Sequence, residues 1–196
     1  MSRFFAMISR MKYINRWALM RNSYTENISE HSLEVAMLAH AMAVIGNKRL
    51  EMNNDTGKVT LIALYHDATE IITGDMPTPI KYMNRDIKTA FKDVEAQAAN
   101  RLLDMLPDDL RGEFEPCFFK EEGDEHLWRL VKAADKLSAL IKCIEEKKAG
   151  NTEFESAYTA LEESVHKLEL EEAEIFMREF LPYYRLTLDE LQSEDR

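Results

Sequence analysis

At 196 residues and a formal net charge of −11, the chain is long enough for one domain with a sizeable core. It is too acidic to hold nucleic acid through a general basic stripe. No stretch approaches the ~20 apolar residues of a membrane span, and Met1 to Arg10 is too short and interrupted for a signal-peptide core, so a cytoplasmic protein is expected.

Only 6 glycines and 5 prolines, against 45% hydrophobic and 31% charged residues, favour long helices over a turn-rich β design. The first segment, about Phe4 to Lys12, has helical spacing, and the polar run Asn22 to Asn27 predicts a loop. A long helix is expected from Asn27, with Glu30 completing a capping box, to Gly46 as its C′ residue. The next is expected over roughly Thr56 to Thr73, ending at Gly74. Pro77 and Pro79 then predict an extended or turn-like loop.

A helix over about Asn84 to Met105 carries the apolar stripe Ile87, Phe91, Val94, Ala98 and Leu102, and Pro107 opens a short one by the N1 preference. Glu125 to Lys148, closed by Gly150, then Glu153 to His166 and Glu171 to Phe180, stopped by Pro182, complete the set. β-branched residues nowhere alternate over strand length, so the expected fold class is all-α, a compact single-domain helical bundle. That domain spans 1–196, with a core at about 27–150 and C-terminal helices 151–196 packed on it. Cys117 and Cys143 lack CxxC spacing and read as buried structural thiols in a reducing compartment.

The chemistry is concentrated in His66 and Asp67, followed by Glu70, inside the apolar run Leu61 to Ile72. Ionisable groups in such surroundings cost several kcal/mol, on the order set by burying a charge, unless paired or coordinated. His31 and Asp135 lie in comparable settings on other predicted helices. Taken singly each is ordinary, since a lone helical histidine is usually a core or rim residue. Together, two imidazoles and two carboxylates form a ligand set for one borderline divalent cation, of the Co, Mn, Fe, Zn or Ni kind. His40 and His126 each stand nine residues from a proposed ligand, half a turn off its face, and His166 lies in a charged segment, so one metal is favoured over two. A divalent ion acidifies water and so supplies a nucleophile for phosphorus. Glu70, at i+4 from His66 and i+3 from Asp67, would share their helix face as acid or base.

His31, His66, Asp67 and Asp135 resemble the ligand pattern of the HD-domain phosphohydrolases. The blocks Ile14 to Trp17, Glu26 to Ser32, Tyr65 to Glu70, Thr73 to Pro79, Val131 to Asp135 and Phe180 to Pro182 are similar to the bacterial 5′-deoxynucleotidases of the YfbR type, over nearly the whole chain. Ala18, where Pro is expected, and Thr69, where Ser is expected, depart from that pattern without touching a proposed ligand.

The resemblance implies removal of the 5′-phosphate from 2′-deoxyribonucleoside monophosphates, with ribonucleotides largely spared, and it implies a homodimer. It assigns the metal to His31, His66, Asp67 and Asp135, acid/base work to Glu70 and phosphate orientation to Arg16. Trp17 and the loop Asp75, Met76, Pro77 and Thr78 would line the sugar pocket, beside the substrate-facing His31, Asp67 and Asp135.

A guanidinium suits the phosphate better than an ammonium, so Arg16 stands ahead of Lys81 and Lys132. A bulky wall such as Trp17 would leave a 2′-hydroxyl no room, while Asp75 accepts from the 3′-hydroxyl. No residue reads the base, so tolerance across bases is expected. Two alternatives stay open: an HD-type hydrolase of triphosphates or a signalling nucleotide, and a nucleotide-binding protein without turnover. Phe118, Phe119 and the stretch Phe176 to Tyr184 read as core or dimer surface.

Overall fold

The computed structural model describes residues 1–81 and 83–193. It is all-α among those residues, with one isolated antiparallel bridge between Asn15 and Asn27. Helix α1 (Phe4–Ile8) and a 3-10 turn over Ser9–Tyr13 open the chain. Helix α2 (Ile28–Arg49) starts at the expected capping box: Asn27 accepts from the Ser29 and Glu30 amides, and Glu30 accepts from the Asn27 amide. It does not stop at Gly46. Gly46 is buried inside α2, where a Cβ would lie 2.8 Å from Asn54 Nδ2 and 3.1 Å from Glu172 Oε1. Close approach rather than helix termination calls for glycine there.

The single helix expected from Thr56 to Thr73 is two. Helix α3 (Thr56–Tyr65) is capped by Asp55, and α4 (Glu70–Thr73) follows after a tight passage. In that passage the backbone bonds run i to i−3, Ala68 to Tyr65 and Glu70 to Asp67, each 3.0 Å. This is 3-10 winding, which stacks side chains at i and i+3. The Ala63 carbonyl, the acceptor an unbroken helix would use for the Asp67 amide, takes a hydrogen bond from His66 Nδ1 at 2.7 Å.

Part of the proline loop is helical too. Helix α5 (Thr78–Lys81) places Pro79 in its first turn, where a missing N–H costs nothing. Helix α6 (Arg85–Leu103) is capped by Asn84, and its stripe buries Phe91, Ala98 and Leu102 but leaves Val94 exposed. Pro107 precedes α7 (Asp108–Phe114) as its N-cap rather than its first residue. Helix α8 (Glu125–Lys148) keeps its expected bounds, and α9 (Glu155–His166) follows a 3-10 turn at Thr152–Phe154. After α10 (Glu171–Glu179), Pro182 sits in another 3-10 turn, and the unanticipated α11 (Leu188–Gln192) begins at a capping box on Thr187.

The main core lies where α2 crosses α3 and α8, through Val35, Met42, Ile62, Leu130 and Leu137, and Val165 and Phe176 close it from α9 and α10. A smaller cluster gathers Phe4, Ile28 and Leu102, with Phe118 and Phe119 packed on it. Those two aromatics are partly buried and Phe176 is fully core, whereas Phe180 and Tyr183 are exposed. Cys117 and Cys143 are buried and unpaired, as expected of structural thiols. No described helix is long and apolar enough to cross a membrane.

A buried ion pair ties the segment before α2 to α8. Lys142 Nζ lies 2.5 Å from Glu146 Oε1 and donates to the Tyr24 carbonyl at 2.9 Å. Glu146 accepts in addition from the Ser23 amide and Asn151 Nδ2. Burial works to raise the Glu146 pKa, but these donors outweigh it and hold the carboxyl down at about 2. Its stabilisation is thus present above the unfolded value of about 4.3 and is lost as pH falls towards about 2. Glu146→Ala is expected to lower the unfolding free energy by roughly 3–5 kcal/mol, because it strands a buried ammonium. Denaturant titration checks this, and Glu146→Gln should weaken the acid dependence between those two pH values.

Candidate active site

The two proposed histidine ligands are held from behind. His66 Nδ1 donates to the Ala63 carbonyl, which fixes the tautomer and leaves the Nε2 lone pair free. His31 Nδ1 lies 3.0 Å from Ser138 Oγ, and that hydroxyl donates to Glu34 Oε2 at 2.5 Å. With its proton so used, Ser138 accepts from His31, and His31 Nε2 is likewise a free acceptor. Both Nε2 atoms are buried and lack a hydrogen-bond partner. Such an atom is costly unless something coordinates it.

Carboxylates stand beside them. Asp67 Oδ2 lies 3.2 Å from His66 Nε2 and 3.5 Å from His31 Nε2, and Asp135 Oδ1 lies 3.2 Å from His31 Nε2. Donor atoms of His31, His66 and Asp67 all fall within 4.8 Å of one another, enough to share an ion. Asp135, from α8, stands beside His31 and outside that three-residue group. Two imidazoles and two carboxylates suit a borderline divalent cation, and the two unpartnered nitrogens show that the residues present fit one.

The electrostatics separate the four acidic groups. Burial pushes the Asp67 carboxyl up, but His66, His31 and Arg16 outweigh it and hold Asp67 below the carboxylate range. Burial likewise opposes His31 and His66 at Asp135, and the net shift is again down. Glu70 goes the other way: burial, reinforced by Asp67 and Asp75, raises it to about 9. Its Oε2 is buried without a hydrogen-bond partner. Burial also raises Asp75.

Arg16 and Trp17 sit on the segment that the Asn15–Asn27 bridge holds against the start of α2. Arg16 Nη1 donates to Glu26 Oε2 at 2.9 Å, and Nη2 lies 3.9 Å from Asp135 Oδ1. Trp17 has φ 61°, in the left-handed region that a bulky residue rarely occupies. Its indole packs edge-on against Phe154 at 5.2 Å.

A cavity of about 720 Å³ opens beside this group, lined on one side by Arg16, Trp17, Asp75 and Thr78 and on the other by Asp135 and residues of α9. That volume is in the range of small-molecule sites. Pro77 lines it as well, but Met76, from the same loop, does not. Lys81 is paired with Glu95 at 2.7 Å, and Lys132 is exposed. His40 is exposed, while His126 and His166 bond to Glu172 and Glu174, all apart from the histidine pair.

Sequence reasoning missed Glu26, Glu34, Ser138 and Lys136. The i, i+3 spacings His31 to Glu34 and Asp135 to Ser138 were a usable signal for two of them. Lys136 lines the cavity and reaches Ser164 Oγ at 3.1 Å. Nothing in the sequence marked α9 as its wall.

Residues 3–184 match the family described as 5′-deoxynucleotidase YfbR-like. A 5′-deoxynucleotidase of Erwinia tasmaniensis is 47% identical over 193 residues, covering 98% of each chain. A 5′-deoxynucleotidase YfbR of Salmonella paratyphi B is also 47% identical, covering 98% of this chain and 97% of its own. Among solved structures, an HD-domain phosphohydrolase of Listeria innocua superposes with a TM-score of 0.80 at 19% identity, over 93% of this chain and 88% of that one. The cyanophage S-2L HD phosphohydrolase DatZ, solved with dA and one catalytic Zn2+ ion, superposes with a TM-score of 0.64 at 20% identity, over 93% and 96% of the two chains. With its all-helical fold, shared with the HD-domain phosphohydrolase of Listeria innocua, and its paired histidines, the chain belongs to the 5′-deoxynucleotidase YfbR-like family and is a hydrolase.

Proposed function

We propose that this site removes the 5′-phosphate from 2′-deoxyribonucleoside monophosphates, that it discriminates against ribonucleotides, and that it tolerates any base. His31, His66, Asp67 and Asp135 would hold one divalent cation, with cobalt and manganese as the leading candidates. The observation that carries the reading is the pair of buried, unpartnered Nε2 atoms beside Asp67. Family membership supplies the reaction class, and the dA and single Zn2+ ion of the cyanophage protein support both the deoxynucleoside and the single metal.

When bound, the cation supplies Lewis-acid chemistry, polarising the phosphoryl group and acidifying water. Glu70, stacked over Asp67 by the 3-10 winding, moves the proton, either from water or to the departing 5′-oxygen. Arg16, tied to Glu26 through Nη1, presents Nη2 to the phosphate. Trp17 fills the space a 2′-hydroxyl would need, and Asp75 accepts from the 3′-hydroxyl, with Pro77 and Thr78 continuing the sugar wall. On the α9 part of the lining Ala157, Ala160 and Leu161 carry no donor, and the hydroxyls of Ser156 and Ser164, able to donate or accept, do not select one base.

The charged lining also favours a monophosphate. In the cavity lining Arg16 and Lys136 are matched by Asp75 and Asp135, which leaves no surplus positive charge for a triphosphate. The family resemblance further implies a homodimer, which light scattering on the purified protein would test.

Three side chains carry sharp expectations. Glu70→Ala should fold and keep its cation yet lose at least about 100-fold in kcat, the lower range for a general acid or base. Activity within a few-fold of the parent would remove Glu70 from the reaction. Trp17→Ala should relax the preference for the deoxy sugar in paired assays of matched nucleotides. Ser138→Ala should weaken cation affinity by about 10–100-fold, because it releases the His31 tautomer; competition with a chromophoric chelator reads this without turnover. The decisive experiment is phosphate release by the metal-stripped protein from a panel varying sugar and phosphate number, with cobalt, manganese or zinc restored. Preferred cleavage of the triphosphate would overturn the assignment.

A further inference from the structure

Glu26 is buried, and one of its oxygens serves two partners. Oε2 accepts from Arg16 Nη1 at 2.9 Å and from Trp17 Nε1 at 2.9 Å. Its backbone carbonyl accepts the Arg16 amide, also at 2.9 Å, so residue 26 grips the segment twice. The second oxygen stands 3.9 Å from His31 Nδ1. No other carboxylate bonds to both the guanidinium and the indole among the described residues. Neighbouring contacts reinforce the arrangement: the guanidinium carbon lies 5.5 Å from the centre of the Trp17 ring, and Trp17 is held in its left-handed conformation.

We propose that Glu26 is a positioning residue that couples phosphate capture to sugar discrimination by holding Arg16 and Trp17 as one unit. This rests on the roles given to those two residues above. A charged acceptor shared by two donors fixes both in relation to each other, because neither can rotate without leaving the carboxylate half-satisfied in a buried site. With Nη1 engaged by Glu26, Nη2 is available for an anion, and it lies on the Asp135 side. The indole N–H is pinned at the same atom, so the ring plane that meets the sugar is set by the group that orients the phosphate clamp. A ribonucleotide that displaced Trp17 would thereby disturb Arg16. Selectivity would then appear in phosphate binding as well as in the sugar pocket.

The test compares Glu26→Gln and Trp17→Phe on one deoxyribonucleotide and its ribonucleotide with the same base, with cation content and thermal unfolding measured in parallel. Trp17→Phe keeps an aromatic ring but removes the Nε1 donor together with the five-membered ring that carries it. Glu26→Gln should lower the ratio of kcat/KM for the two sugars by about ten-fold, the scale of one hydrogen bond to a charged acceptor. It should raise KM for the deoxy substrate while kcat stays within a few-fold. Trp17→Phe should lower the ratio in the same direction. The double variant should fall well short of the product of the two effects, since both remove one bond.

A folded, cation-loaded Glu26→Gln whose sugar ratio stays within two-fold of the parent overturns the proposal, as do fully multiplicative effects. If Glu26→Gln does not fold, an unchanged ratio in Trp17→Phe overturns it equally. Trp17→Ala separates this failure from that of the underlying reading. Relaxed selectivity there with none in Glu26→Gln removes only the coupling, whereas unchanged selectivity in Trp17→Ala removes the sugar wall itself.

Discussion

A carbonyl at Ala63 and a hydroxyl at Ser138 each engage Nδ1 of a buried histidine, and the arrangement of the site follows from those two bonds. With Nδ1 committed, each ring is locked in orientation and tautomer, and each Nε2 is left as a bare acceptor in the interior. Such an atom has no water to fall back on. Asp67 lies close enough to both for the three residues to hold an ion, and Asp135 stands beside His31. Glu34 extends the support one step further by accepting the Ser138 proton, so the His31 ring is oriented by a chain that begins on its own helix.

Around that centre an acidic protein assembles a place for an anion. Asp67 and Asp135 are held below the ordinary carboxylate range, with Arg16 contributing at Asp67, while Glu70 is pushed to about 9 by burial and by its acidic neighbours. Arg16 is the cation set among them. Burial works against its charge, and Glu26, Asp135 and Asp67 restore it. The same carboxylates that would repel a phosphate therefore hold in place the guanidinium proposed to bind one. A net charge of −11 describes the surface and says little about this interior balance.

The pieces come from distant parts of the chain. His31 lies on α2, His66 and Asp67 in the turn after α3, and Asp135 on α8, the three helices that share the main core. Arg16 and Trp17 belong to no helix. Their segment is fixed at one end by the Asn15–Asn27 bridge and at the other by the Lys142–Glu146 pair, which receives the Ser23 amide and donates to the Tyr24 carbonyl. Core packing thus sets the ligand group, and a buried ion pair helps to set the arm that reaches over it.

By itself the sequence determined the all-α class, most helix bounds and the identity of the ligand candidates. Helical periodicity, caps such as Asn27 and ionisable residues inside apolar runs are local properties, visible wherever the chain is read. Tertiary structure decided the rest. Gly46 looked like a stop because glycine ends helices locally, yet the constraint came from Asn54 and Glu172 packing against it. The Thr56 to Thr73 helix looked continuous because its periodicity never breaks, while a side chain reaching the Ala63 carbonyl tightened it into 3-10 winding. Glu26 and the α9 wall were silent because no helical periodicity links them to their partners: Glu26 reaches Arg16 and Trp17 on a segment outside any helix, and α9 meets the site only through packing.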